Sequence, residues 1–115
     1  MRVAIIGSRK IDNAQKILEL ILYNIPIGCS EIISGGAVGV DSLAADAARK
    51  LHIHLVELCP DYAVFGKAAP LVRNRAITDY ADCVLALWDY QSKGTRSVIL
   101  DCIRSGKPVK IVCLT

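Results

Sequence analysis

Three short stretches of the 115-residue chain combine residue types suited to holding a phosphate-bearing ligand. They are Gly7-Ser8-Arg9, Gly35-Gly36-Ala37-Val38-Gly39-Val40-Asp41 and Trp88-Asp89-Tyr90-Gln91-Ser92-Lys93-Gly94-Thr95. Glycine lets backbone N–H groups approach an anion closely, and a helix N-terminus adds partial positive charge. Ser8, Ser92 and Thr95 can donate hydroxyls to phosphate oxygens, and Arg9 and Lys93 can add charge. Asp41 cannot serve a phosphate. Beside one, it would accept hydrogen bonds from ribose hydroxyls or a base, or else cap the helix that starts at Ser42. Asp41 and Asp89 are also the carboxylates available for acid–base chemistry on such a ligand.

Those stretches acquire meaning from the elements around them. Val3 to Ile6 reads as a short buried strand. Ile11, Ala14, Ile17, Leu18, Ile21, Leu22 and Ile25 recur at three and four, one face of a helix that Asp12 or Asn13 can cap and that Pro26 and Gly28 stop. Glu31 to Ser34 is a second strand, followed by a small-residue helix with Val40, Leu43, Ala44, Ala47 and Leu51 on one face. Leu55 to Leu58 is a third strand, and Cys59 to Ala69 reads as a long loop. Pro70 suits a first helical turn, predicting a helix to about Tyr80. Cys83 to Leu87, a helix from Gly94-Thr95 to Gly106, and Val109 to Leu114 complete the pattern. Such alternation predicts one α/β domain over residues 1–115, a parallel sheet covered by helices on both faces with right-handed crossovers. All three stretches then follow strands at one rim of the sheet, where such folds bind ligands.

Composition narrows the classes. The 53% apolar content can fill a core that buries roughly two-thirds of the unfolded chain's surface. A net charge of +3 does not by itself indicate nucleic acid. The five cysteines are an odd count without a C-x-x-C pair, so no metal site is expected; Cys59, Cys83 and Cys113 read as small buried hydrophobes in a reducing compartment. His52 and His54 sit at a helix-to-strand junction. No apolar run is long enough for a signal peptide or a bilayer span, which predicts a soluble, cytoplasmic protein with no membrane partner.

Known phosphate-loop patterns fit poorly. G-x-x-x-x-G-K-[ST] is absent, since Gly106-Lys107 is followed by proline at a helix end. A dinucleotide fingerprint belongs after the first strand, whereas Gly35-Gly36-Ala37-Val38-Gly39 follows the second and lacks the first glycine, although Glu57 falls about 20 residues on. No cofactor is expected.

The combination of "VAIIGSRK", "EIISGGAVGVDSLAADAA", "FGKAAPLVRNRAITDYADCVLALWDYQSKGT" and "SGKPVKIV" resembles the SLOG superfamily, the Rossmann-like group of DNA-processing proteins and lonely-guy phosphoribohydrolases. The stand-alone YspA-like branch is the nearest in pattern. The resemblance runs nearly end to end. It implies a Rossmann-like three-layer sandwich with a five-stranded parallel sheet in order 3-2-1-4-5, a nucleotide-derived ligand and a homodimer. It also draws in Lys67, Arg73, Asn74 and Arg75, with Phe65 and Trp88 as surfaces on which a base could stack. The implied ligand-binding set is Gly7, Ser8, Arg9, Gly35, Gly36, Ala37, Gly39, Lys67, Arg73, Asn74, Trp88, Ser92, Lys93, Gly94 and Thr95.

Three functions follow. The first is binding of a nucleotide or nucleoside-phosphate derivative, as a sensor or processing domain. The second is cleavage or transfer at an N-glycosidic bond, with Asp41 and Asp89 catalytic; here Val98 stands where phosphoribohydrolases resembling this chain carry a glutamate. The third is single-stranded DNA binding through Arg9, Lys67, Arg73, Arg75 and Lys93, for which the chain lacks a run of aromatic residues to stack successive bases.

Overall fold

A computed structural model describes residues 1–114. Five strands, β1 (Arg2–Gly7), β2 (Glu31–Ser34), β3 (His54–Glu57), β4 (Cys83–Trp88) and β5 (Val109–Cys113), pair in parallel in the order β3-β2-β1-β4-β5. The helices are α1 (Ala14–Asn24), α2 (Val40–Leu51), α3 (Tyr62–Phe65), α4 (Ala69–Tyr80) and α5 (Lys93–Ser105). The expected Rossmann-like sandwich and strand order are what the chain adopts.

Alternation along β1 divides the core in two. Val3 and Ile5 face one cluster, where α1 and α2 contribute Ile17, Leu18, Ile21, Val40 and Leu43. Ala4 and Ile6 face the other, where α4 and α5 contribute Ile77, Val98, Ile99 and Cys102. A central strand buried on both faces must be apolar throughout, which is why it reads as an unbroken run. Each helix has local reasons for its bounds. Asn13 Oδ1 accepts from Lys16 N at 3.1 Å and starts α1. Ser92 caps α5, and Gly106, with φ 73°, ends it by donating its N–H to Cys102 O and Ile103 O.

The structure corrects several details. The stretch expected as a loop from Cys59 to Ala69 contains α3 and a 3-10 turn over Gly66–Ala68. None of the side chains from Asp61 to Ala68 is buried, so no apolar periodicity marked it. Cys59 and Cys113 are exposed and Cys83 half-buried; the buried cysteine is Cys102, on α5. β3 starts at His54, placing that exposed histidine in an edge strand. No helix among the described residues is long and apolar enough to cross a membrane.

Candidate functional site

β1 and β4 are neighbours although two strands, β2 and β3, lie between them in the chain, because the chain reverses its direction of travel across the sheet between them. Their carboxyl ends, with that of β2, leave room for a cleft of about 460 Å³. That lies within the range of roughly 300–1,000 Å³ usual for small-ligand sites.

Gly7, Ser8 and Arg9 form the wall that follows β1. Gly7 must be glycine: a Cβ there would lie 2.5 Å from Leu87 O and 2.7 Å from Val40 Cγ2. Ser8 is 2% exposed, and its Oγ is buried without a hydrogen-bond partner among the described residues. An unpaired buried hydroxyl is costly, and this one stands at the cleft wall, able to donate to a group that enters it.

Gly35, Ala37 and Asp41 form the wall after β2. The carboxylate of Asp41 reaches back from the first turn of α2 and accepts the Ala37 N–H on Oδ2 at 3.2 Å. Burial raises the Asp41 carboxyl above its ordinary pKa, against the lowering pull of the Ala37 N–H, Arg73, Arg9 and the Gly35 N–H. Gly36 and Gly39 do not line the cleft. Gly39, with φ 77°, packs on the Ser8 and Arg9 backbone, and Val40 N donates to Ser8 O at 3.0 Å. These contacts lock the two loops to each other.

Arg73 and Asn74 overhang from α4. Arg73 Nη1 donates to Gly35 O at 2.8 Å, and its Nε donates to Asn74 Oδ1 at 2.9 Å. Lys67 and Arg75 are exposed, and neither lines the cleft.

The loop after β4 supplies Asp89, Gln91, Ser92, Gly94 and Thr95. Asp89 turns inward on its own loop: Oδ1 accepts from Gln91 N and Ser92 N, each at 2.8 Å. The Ser92 N–H first, then the Gln91 N–H, lowers its pKa. The Ser8 hydroxyl adds to that lowering without reaching hydrogen-bond geometry. The two carboxylates therefore sit in opposite environments, burial raising the pKa of Asp41 and loop amides lowering that of Asp89. Gly94 opens α5 with free space beside it. Trp88 does not line the cleft; its Nε1 donates to Ser92 O at 3.1 Å and its ring lies 4.6 Å from that of Tyr90. Lys93 is exposed outside the cleft.

Ile6, Pro70, Ile77 and Val98 give the cleft an apolar lining, and Lys10 and Gln91 extend its polar rim. Sequence reading passed over these. Lys10 and Gln91 adjoin residues already singled out, whereas the apolar four carried only a core signal. Among the described residues, no group of three or more His, Cys, Asp or Glu side chains is placed to hold a metal ion.

A parallel sheet in this order, with an open cleft over its switch point, defines a Rossmann-like α/β fold. No protein-family model matches the chain, and a search of curated proteins finds no relative. Among solved structures it is similar to DNA processing protein A from Helicobacter pylori, described in its single-stranded DNA binding mode, at 25% identity and a TM-score of 0.73. The likeness covers 96% of this chain and 64% of that one, so the present chain spans about two-thirds of the neighbour's length. It supports the SLOG-type Rossmann-like fold.

Proposed function

We propose that the cleft binds the phosphate of a nucleotide or nucleoside-phosphate derivative. The carrying observation is the buried, unpaired Ser8 Oγ in a cleft that also holds the open N-terminal turn of α5 at Gly94. A phosphate oxygen would satisfy the hydroxyl, and the partial positive charge of a 13-residue helix would favour the anion. Arg9 and Lys10 add exposed charge at the rim. Membership of the YspA-like branch and a dimeric state accord with this reading and belong to the proposal.

The test is thermal unfolding with AMP, GMP, CMP and UMP at millimolar concentration. Ligand at 100 times its Kd stabilises a protein by about 2.7 kcal/mol. The expected result is stabilisation by at least one of the four, lost in Ser8→Ala. No stabilisation by any of them ends the proposal for free nucleotides.

A second reading is favoured by DNA processing protein A, which binds single-stranded DNA. The same phosphate subsite would then hold one backbone phosphate of a strand. Binding of an oligodeoxythymidine that weakens steeply with salt, without stabilisation by free nucleotides, selects this source. Among the described residues no aromatic side chain lines the cleft, so successive bases would have to stack elsewhere.

A further inference from the structure

We infer that the strap from Asp61 to Gly66 closes over the cleft and lays Tyr62 and Phe65 on the base of the bound nucleotide. This rests on the phosphate reading of the same cleft and adds what holds the base.

Both ends of the strap are fixed at the rim of the cleft. At one end Cys59 packs beside Gly36, where a Cβ would lie 2.8 Å from the Cys59 Sγ. Gly36 is bonded to Gly35, which lines the cleft. At the other end Ala69 is fully buried and Pro70 lines the cleft. The chain between these anchors leaves the rim and returns to it.

Little holds the strap where it stands. Tyr62, Val64 and Phe65 are 58%, 69% and 45% exposed, three large apolar side chains in one four-residue helix. α3 rests chiefly on the 3-10 turn and on α4, and it buries no side chain of its own. A helix this short has no stability alone, and a segment without buried contacts moves at small free-energy cost. Asp61 Oδ1 accepts from Val64 N at 3.2 Å, so α3 moves as one turn. Gly66 follows with φ 55°, ψ −131° and open space beside it, a backbone hinge that meets no steric clash. Lys67 lies beyond that hinge, in the turn that leads into α4, and stays outside the cleft.

What the cleft lacks selects what the strap does. Among the described residues its lining includes none between Asp41 and Pro70 and no aromatic ring. Ile6, Pro70, Ile77 and Val98 can cover one face of a base and leave the other to water. Tyr62 and Phe65, three residues apart, share a side of the α3 turn. Closure brings their rings to the second face. It buries apolar surface that the unliganded protein exposes, and it adds stacking that any base can accept.

The experiment follows hydrogen exchange by mass spectrometry on the wild-type chain, alone and with AMP, GMP, CMP, UMP or ribose 5-phosphate at millimolar concentration, alongside calorimetric titration of each. A nucleotide that binds should slow exchange of the amides from Tyr62 to Gly66. Ribose 5-phosphate has no base and should bind without slowing them. The double variant Tyr62→Ala, Phe65→Ala removes only exposed side chains, so it should melt with the wild type. It should lose about tenfold in nucleotide affinity, the scale of one base stacked on an aromatic ring, and keep its affinity for ribose 5-phosphate. Nucleotide binding with no slowing of those amides, equal slowing by ribose 5-phosphate, or unchanged nucleotide affinity in the double variant each overturns the strap inference and leaves the phosphate reading standing. Binding of none of the five compounds removes both.

Discussion

The guanidinium of Arg73 donates to the carbonyl oxygen of Gly35 across 38 residues of chain, at 2.8 Å. That bond ties α4 to the loop after β2 and sets the width of the cleft between them. A charged hydrogen bond of this kind contributes about 1.5 kcal/mol. Arg73→Ala should therefore lower the free energy of unfolding by about that amount in urea titration. Arg73→Lys should recover little of it, because an ammonium cannot serve Gly35 O and Asn74 Oδ1 in the planar fork that Arg73 uses. Full recovery by lysine would show that charge rather than shape holds the loop.

Ser8 gives a test in which stability and binding move in opposite directions. Its hydroxyl is buried and unpaired, a cost of about 1–3 kcal/mol to the unliganded protein. Ser8→Ala removes that cost and leaves only a small void. The variant should melt higher than the wild type without ligand and lose most of its stabilisation by nucleotide. A variant that melts lower would mean the hydroxyl already has a partner in solution.

The two glycines that interlock the first two loops should tolerate no side chain. Gly7→Ala drives a methyl against Leu87 O and Val40. Gly39→Ala meets the backbone of Ser8 and Arg9 at a φ of 77° that side chains rarely adopt. Overpacking of this kind costs about 1–3 kcal/mol before any backbone strain is added. Gly94→Ala, with open space beside it, is the control and should stay within about 0.5 kcal/mol of wild type by the same urea titration.

The sheet was legible because parallel strands buried on both faces, such as Val3 to Ile6, cannot hide their apolar character, and because α1 repeats its apolar positions cleanly. The rim was legible as three loops, since Gly7, Ser8, Asp41, Ser92 and Thr95 follow strands and all line one cleft. What each loop does with its own polar groups was not. Asp89 lines the cleft, and its Oδ1 also satisfies the amides of Gln91 and Ser92; the spacing of an aspartate two and three residues before those amides is the signal for such a turn. Lys67 and Lys93 carry the right charge but point from helical turns that face solvent, a rotation that charge alone does not reveal. Trp88 spends its indole N–H on Ser92 O, a contact four residues away that only the folded loop creates.

Lysine variants separate charge at the rim from charge beside it. Lys67→Ala and Lys93→Ala remove exposed cations outside the cleft and should change nucleotide affinity by less than about threefold, the scale of weak screened interactions. Arg9→Ala removes one that lines it and should cost about tenfold, the scale of one phosphate contact. If all three act alike, the ligand is held by a diffuse positive surface, as a long strand would be.

The opposite shifts of Asp41 and Asp89 give the acid stability curve two contributions of opposite sign. Asp89 has a folded pKa below its unfolded value, set first by the Ser92 N–H. Its contribution is present above the ordinary aspartate pKa of about 3.9 and is lost as pH falls through the lower folded value. Asp41 has a folded pKa raised by burial, so its contribution is complete below the ordinary value and is lost as pH rises through the raised one. Asp89→Asn should therefore reduce the loss of melting temperature below about pH 4, and Asp41→Asn should reduce the loss above it. Melting curves of the three proteins between about pH 3 and pH 7 resolve the two.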